Sequence, residues 1–231
     1  MAEEYRVVEL RQYTLVPGRR DALIELFDGA LVDPQEEAGM CVLGQFRDLD
    51  RPDRFVWLRA FPDMVRRRDA LRAFYGGPVW RAHGDAANAT MIDSDDVLLL
   101  RPAAGLSKMA APPRPRPGIH DECSTVYAVT VCSLDEPVDD SAAGRTLLAG
   151  LSAMSPPPLA TFVEEPSENT FPALPVREGE HVAVWVQRAG SEAAAAPLLD
   201  ASLEVADRAL PSSAPPPVQL RLAPTSRSRL R

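Results

Sequence analysis

Cysteine is scarce in this sequence: three residues, Cys41, Cys123 and Cys132, with no CxxC pair among them. That spacing excludes a disulfide framework and the common zinc patterns. Histidine is equally rare, at three residues, so catalysis by a histidine has few candidates. Positive charge is outnumbered, with 25 Lys and Arg against 33 Asp and Glu and a net charge of −8. Such a balance argues against a nucleic-acid partner, which needs a basic face, and against an electrostatic membrane anchor. Long apolar runs are missing, so no membrane span is expected. The start, MAEEYRVVEL, has neither the basic region nor the apolar core of a secretory signal. These features together lead to the expectation of a cytoplasmic, reduced protein. There is no GxGxxG, P-loop, HExxH or GxSxG, which weighs against nucleotide-dependent, zincin and hydrolase chemistry.

Proline is abundant instead: 23 in 231 residues is about twice the usual share of roughly 5%. The run PAAGLSKMAAPPRPRPG reads as a linker, because it buries little and stays extended. The expected division is a first domain at 1–102, a linker at 103–119, a second domain at 120–224 and a disordered tail at 225–231.

Both halves show one order of elements: strand, helix, strand, strand, helix, strand. In the first, β-rich residues 7–15 stop at Pro17-Gly18. Ala22, Leu23, Leu26, Phe27, Ala30 and Leu31 form a helical stripe over 19–32, with Pro34 beyond its end. Strands follow at 40–46 and 54–60. A helix around Leu71, Phe74 and Tyr75 is interrupted by Gly76-Gly77 and restarted by Pro78. Residues 97–100 close the unit. In the second half, strands fall at 125–134, 160–165, 181–187 and 218–222, and helices at 142–154 and 192–210, with Pro197 expected to break the last. FVWLRA resembles AVWVQRA, which sets Trp57 opposite Trp185. The expected fold is α+β: two ferredoxin-like βαββαβ repeats whose antiparallel sheets cover each other as an α/β barrel within one chain.

The segments VELRQYTLVPGRRDALIELF, FRDLDRPDRFVWLRAFPDM and FYGGPVWRAHGDAANATMIDSDDVLLLRP resemble a NIPSNAP-family domain. ENTFPALPVREGEHVAVWVQRA resembles the segment that follows in many bacterial members. The resemblance implies the dimeric α/β-barrel fold, here as a tandem repeat. The wider superfamily includes cofactor-free monooxygenases, haem-degrading enzymes, chlorite dismutases and aldoxime dehydratases, so the fold implies a pocket but not a chemistry.

Strand alternation puts Glu9, Arg11 and Tyr13 on one face of a strand covered on both sides. Buried ionic groups must be paired or serve a ligand. One reading makes Glu9 and Arg11 an internal pair with a satisfied Tyr13 hydroxyl; in the other, Arg11 grips an anionic or enolate oxygen with Tyr13 as donor. His83, three residues after Trp80 on a helix, is the candidate general base, with Asn88 near the helix end. A capping or core-edge histidine is the plainer reading. Phe55, Trp57 and Trp80 could line an aromatic pocket or simply fill the core. No cofactor is expected; haem is conceivable through His83 as proximal ligand. HDEC at 120–123 holds ligand-type residues, but neighbours in sequence converge poorly on one ion. Arg66-Arg67-Arg68 reads as a solvated helix start, and Asp93-Ser94-Asp95-Asp96 as a turn. In the second repeat Arg11 and Tyr13 align with Thr130 and Cys132, so a pocket is expected in the first repeat alone.

Two functions follow. One is a small-molecule enzyme, a cofactor-independent monooxygenase or isomerase on an aromatic or enolisable substrate. The other is a non-catalytic binding or scaffold protein. An open pocket around His83 favours the first; a pocket packed shut by Trp57 and Phe74 favours the second. The expected partner is a small-molecule ligand, with neither nucleic acid nor membrane, and pairing into a homodimer stays open.

Overall fold

The computed structural model describes residues 5–106, 111–116 and 123–231. His120, Asp121 and Glu122 of the HDEC run, and part of the expected linker, lie outside them. The first repeat comprises β1 (Val7–Leu15), α1 (Arg20–Leu26), α2 (Val32–Glu37), β2 (Cys41–Asp48), β3 (Arg54–Phe61), α3 (Met64–Tyr75), α4 (Pro78–Asn88) and β4 (Met91–Pro102). The second comprises β5 (Val126–Leu134), α5 (Ala142–Ser152), β6 (Ala160–Glu164), β7 (His181–Ala189), α6 (Glu192–Ala209) and β8 (Val218–Pro224).

The strands close into one barrel in the order β1-β3-β2-β8-β5-β7-β6-β4. Each repeat contributes four antiparallel strands, and antiparallel pairs β2·β8 and β4·β6 form the two seams. Alternation decides what each face meets. Val8 and Leu10 point into the barrel with Leu98, Leu100, Val129 and Leu220, forming one shared core. Val7, Tyr13, Phe55, Trp57 and Phe61 point outward and are covered by the helices of the first repeat. The two-repeat α/β barrel expected from the sequence is the observed fold.

Four local expectations need correction. The first helix does not end before Pro34. It passes through a wide π turn at Phe27–Leu31 and continues to Glu37. That turn makes room for the Pro34 ring, which in a regular helix would crowd the carbonyl four residues back. Pro197 does not break α6, because it sits on the exposed side and the carbonyl it frees faces water. Residues 93–96 belong to β4, paired with β1 across a register shift. The tail at 225–231 is ordered: Thr225, Arg227, Ser228 and Leu230 are buried. Thr225 N–H donates to Gln45 O and Leu230 N–H to Leu43 O, which ties the tail along β2.

The Gly76-Gly77 interruption holds. A Cβ on either glycine would meet a backbone oxygen of α3 at 2.8 Å, so the tight joint between α3 and α4 needs both.

Candidate functional site

Register brings the polar residues of β1 against β3. Glu9 stands opposite Arg59, Arg11 opposite Trp57 and Tyr13 opposite Phe55. All of them face the helices, and α3 adds Arg67 from above. The Glu9 carboxylate accepts from three guanidinium groups: Arg11 Nη1 at 2.8 Å, Arg59 Nε at 2.7 Å and Arg67 Nε at 2.6 Å. Glu9, Arg59 and Arg67 are fully buried, and Arg11 is 1% exposed. The internal Glu9–Arg11 pair expected from the sequence therefore exists, within a larger cluster. Arg66-Arg67-Arg68 is not a uniformly solvated run, because Arg67 is drawn inward by Glu9.

One carboxylate faces three arginines, so the cluster carries a surplus of two positive charges. Burial alone would raise the Glu9 carboxyl, but Arg59, Arg11 and Arg67 together hold it well below the usual carboxylate range. Burial pushes Arg67 down, helped by the neighbouring Arg59 and Arg11 and opposed by Glu9. The Arg59 and Arg67 Nη2 groups and the Trp57 indole N–H are buried with no hydrogen-bond partner among the described residues. The Arg59 guanidinium also lies over the Trp57 ring, 5.0 Å from its centroid, a cation–π contact.

Beside the cluster lies a narrow cavity under the helices. Tyr13 and Trp57 form its floor, Phe27, Leu31 and Gln35 one side, and Phe74, Tyr75, Trp80, Ala87 and Met91 the rest, with Leu23. Its open volume is about 20 Å³, by the measure in which one water needs roughly 10–15 Å³. The cluster reaches this wall directly. Arg59 Nη1 donates to Gln35 Oε1 and to Tyr75 Oη, each at 3.4 Å. Arg11 Nε donates to Tyr13 Oη at 3.0 Å. The Tyr13 oxygen thus acts as acceptor toward Arg11 and keeps its own proton to donate elsewhere. Burial raises the Tyr13 phenol despite Arg11, so it remains protonated at neutral pH.

Of the residues singled out in the sequence, Glu9, Arg11, Tyr13, Trp57 and Trp80 come together here. Phe55 is buried behind the wall, in contact with Phe27 at 5.3 Å between ring centroids. His83 is half-buried on α4, away from the cavity lining, and its imidazole has no hydrogen-bond partner among the described residues. Asn88 is exposed at the end of α4. Because His83 does not line the cavity, the residues present do not form a haem pocket there. Arg59, Arg67, Gln35 and Tyr75 escaped sequence reasoning. Arg59 had one usable signal, since it shares a strand face with Trp57.

The second repeat completes this site with the loop after β6. Asn169 Oδ1 and Thr170 Oγ1 accept from Arg67 Nη1 at 3.0 and 3.4 Å. Phe171 stacks on Tyr75 at 6.0 Å. Phe171→Ala is expected to cost about 0.5–1.5 kcal/mol, the usual worth of an aromatic pair, read as a lower unfolding temperature.

The fold and this cavity define an α/β-barrel protein built from two ferredoxin-like repeats. Residues 8–106, which span the first repeat, match the model of the NIPSNAP family. A search of curated proteins gives no match. Over its whole length the chain is similar in structure to an anthrone oxidase-like protein, at 12% identity and TM-score 0.58, covering 97% of this chain and 94% of that one. It is similar to a candidate monooxygenase from Lactobacillus acidophilus NCFM, at 12% identity and TM-score 0.54, covering 96% and 94%. An uncharacterized NIPSNAP domain protein from Burkholderia xenovorans is 18% identical, with TM-score 0.40, covering 43% of this chain and 96% of that one. At such identities the likeness concerns the fold alone.

Proposed function

We propose that the first repeat binds a small aromatic or enolisable anion in the cavity between Trp57 and the α3–α4 aromatic wall. The carrying observation is the charge surplus: three buried arginines face one carboxylate, and two guanidinium NH2 groups lack partners among the described residues. Buried charge left unpaired is costly, and an anionic oxygen at the cavity floor would relieve it. Tyr13 donates its free proton to that oxygen, and Arg11 and Arg59 supply the charge behind it. The rings of Trp57, Phe74 and Trp80 favour a planar ligand. The cavity as it stands is too small for such a ligand, so the ligand enters by displacement of Trp80, a half-buried member of the wall.

Turnover as a cofactor-independent monooxygenase or isomerase is the finer reading, and the names of two structural neighbours, an anthrone oxidase-like protein and a candidate monooxygenase, favour it. It needs a base, and the ionisable groups of the wall are Tyr13 and Tyr75. Binding is therefore the reading the geometry supports best. If a substrate is turned over and His83→Ala leaves the rate unchanged, His83 has no part in the reaction.

Isothermal titration with benzoate and with methyl benzoate tests the charge argument. Benzoate is expected to bind saturably and the ester about tenfold or more weakly, the worth of a charged hydrogen bond. Tyr13→Phe should weaken benzoate about three- to tenfold. Equal affinity of acid and ester, or no binding of either, overturns the reading.

A further inference from the structure

The second repeat holds a cavity of its own at the matching place. Thr130 stands opposite Trp185 as Arg11 stands opposite Trp57. Two residues past Trp57 is Arg59; two past Trp185 is Gln187, which is 2% exposed. The charged floor of the first repeat is thus replaced by a neutral amide. Trp185 Nε1 donates to Ser202 Oγ at 2.9 Å, so this indole is satisfied where Trp57 is not. The Ser202 hydroxyl has one proton and two acceptors, Gln187 Oε1 and Leu198 O, both at 2.9 Å. Gln187 Nε2 is buried with no partner among the described residues. Turning the amide over would satisfy the nitrogen and leave the oxygen alone instead, so one end of Gln187 is always left over.

Above this amide, a cavity opens between α5 and α6. Its open volume is about 490 Å³, against about 20 Å³ for the first repeat, and falls within the usual range for ligand pockets of roughly 300–1,000 Å³. Ala149, Gly150, Met154, Leu198, Ala201 and Val205 make its wall mostly apolar. Its two charged lining residues, Glu204 and Arg208, pair with each other at 2.9 Å on the exposed side of α6. The cavity therefore offers no net charge to an occupant.

We propose that this is a second small-molecule site, taking an uncharged, largely apolar molecule with one carbonyl or hydroxyl group set against the Gln187 amide. A charged ligand is disfavoured there, since no counter-charge meets it in an apolar cleft. The second repeat is then a binding domain of different selectivity, independent of the anion site in the first repeat.

Benzophenone, an uncharged ketone, serves as a photolabelling probe on the full chain, with the labelled peptides mapped by mass spectrometry. Saturable labelling is expected on α5 and α6. Gln187→Leu should raise the half-saturating concentration about three- to tenfold, the worth of one hydrogen bond. Ala201→Phe, which fills the cavity, should abolish labelling there, with circular dichroism showing that both variants fold. Labelling scattered over the surface, or unchanged by both substitutions, overturns the proposal. So does a concentration-dependent dimer that shields α5 and α6, which would make the cavity an interface between copies.

Discussion

Glu9→Gln is expected to destabilise the fold by about 3–5 kcal/mol, the usual cost of breaking a buried ion pair from one side. The substitution keeps the shape of the side chain but removes the carboxylate that, alone among the described residues, pairs with Arg11, Arg59 and Arg67. Three guanidinium groups would then share one buried space with no counter-charge. Urea denaturation at pH 7 measures the loss, and a change below about 1 kcal/mol would show that the arginines find other partners. The pH dependence carries the same information. Burial opposes ionisation of Glu9, but Arg59, Arg11 and Arg67 hold its folded value well below the ordinary 4.5. A carboxyl lowered by folding contributes stability that is complete above the unfolded value and is lost as pH falls toward the folded one. The wild-type protein should therefore lose stability below about pH 4.5, and Glu9→Gln should flatten that part of the profile.

Asp28→Ala is expected to release the C-terminal tail and to cost about 2–4 kcal/mol, because several hydrogen bonds to one charged group are lost together. Asp28 sits on the π turn. Its Oδ1 accepts from Gln45 Nε2 and Thr225 Oγ1, both at 3.1 Å. Its Oδ2 accepts from Ser226 Oγ at 3.3 Å and from Arg227 N–H at 3.2 Å. Removing the carboxylate leaves the Gln45 amide and the Arg227 N–H without their acceptor. Trypsin should then cut faster after Arg227 and Arg229, and the urea midpoint should fall. A tail that stays protected at an unchanged midpoint would mean that Arg229–Glu36 and Leu230 hold it alone. The same carboxylate joins the tail to the helix that carries Phe27 and Leu31, so releasing the tail should also loosen one wall of the first cavity.

The fold was largely legible in the residues. Alternation in VVELRQYTL marked a strand covered on both faces, and the Trp57–Trp185 match marked the repeat. The aligned pair Arg11 and Thr130 both stand opposite those tryptophans. The site was legible only in part. Glu9, Arg11 and Tyr13 were visible because i, i+2, i+4 on a strand share a face whatever else the chain does. Arg67 was not, because a run of three arginines after Asp63 looks like any solvated helix start, and its partner Glu9 lies 58 residues away. The tail misled for a related reason: Ser and Arg are surface residues by composition, and here they are buried by acids supplied from the π turn and α2.

The sequence by itself determined the elements, the repeat and the barrel, because these follow from local periodicity and from the need to cover each sheet's bare face. Tertiary structure alone decided the balance of charge. Whether an arginine is solvated or buried depends on a carboxylate that may be anywhere in the chain, and periodicity is silent about that distance. It gathered three arginines on Glu9 in one repeat and left a neutral Gln187 in the other. It also set His83 away from both cavities, since a helix position fixes a face but not what packs against it.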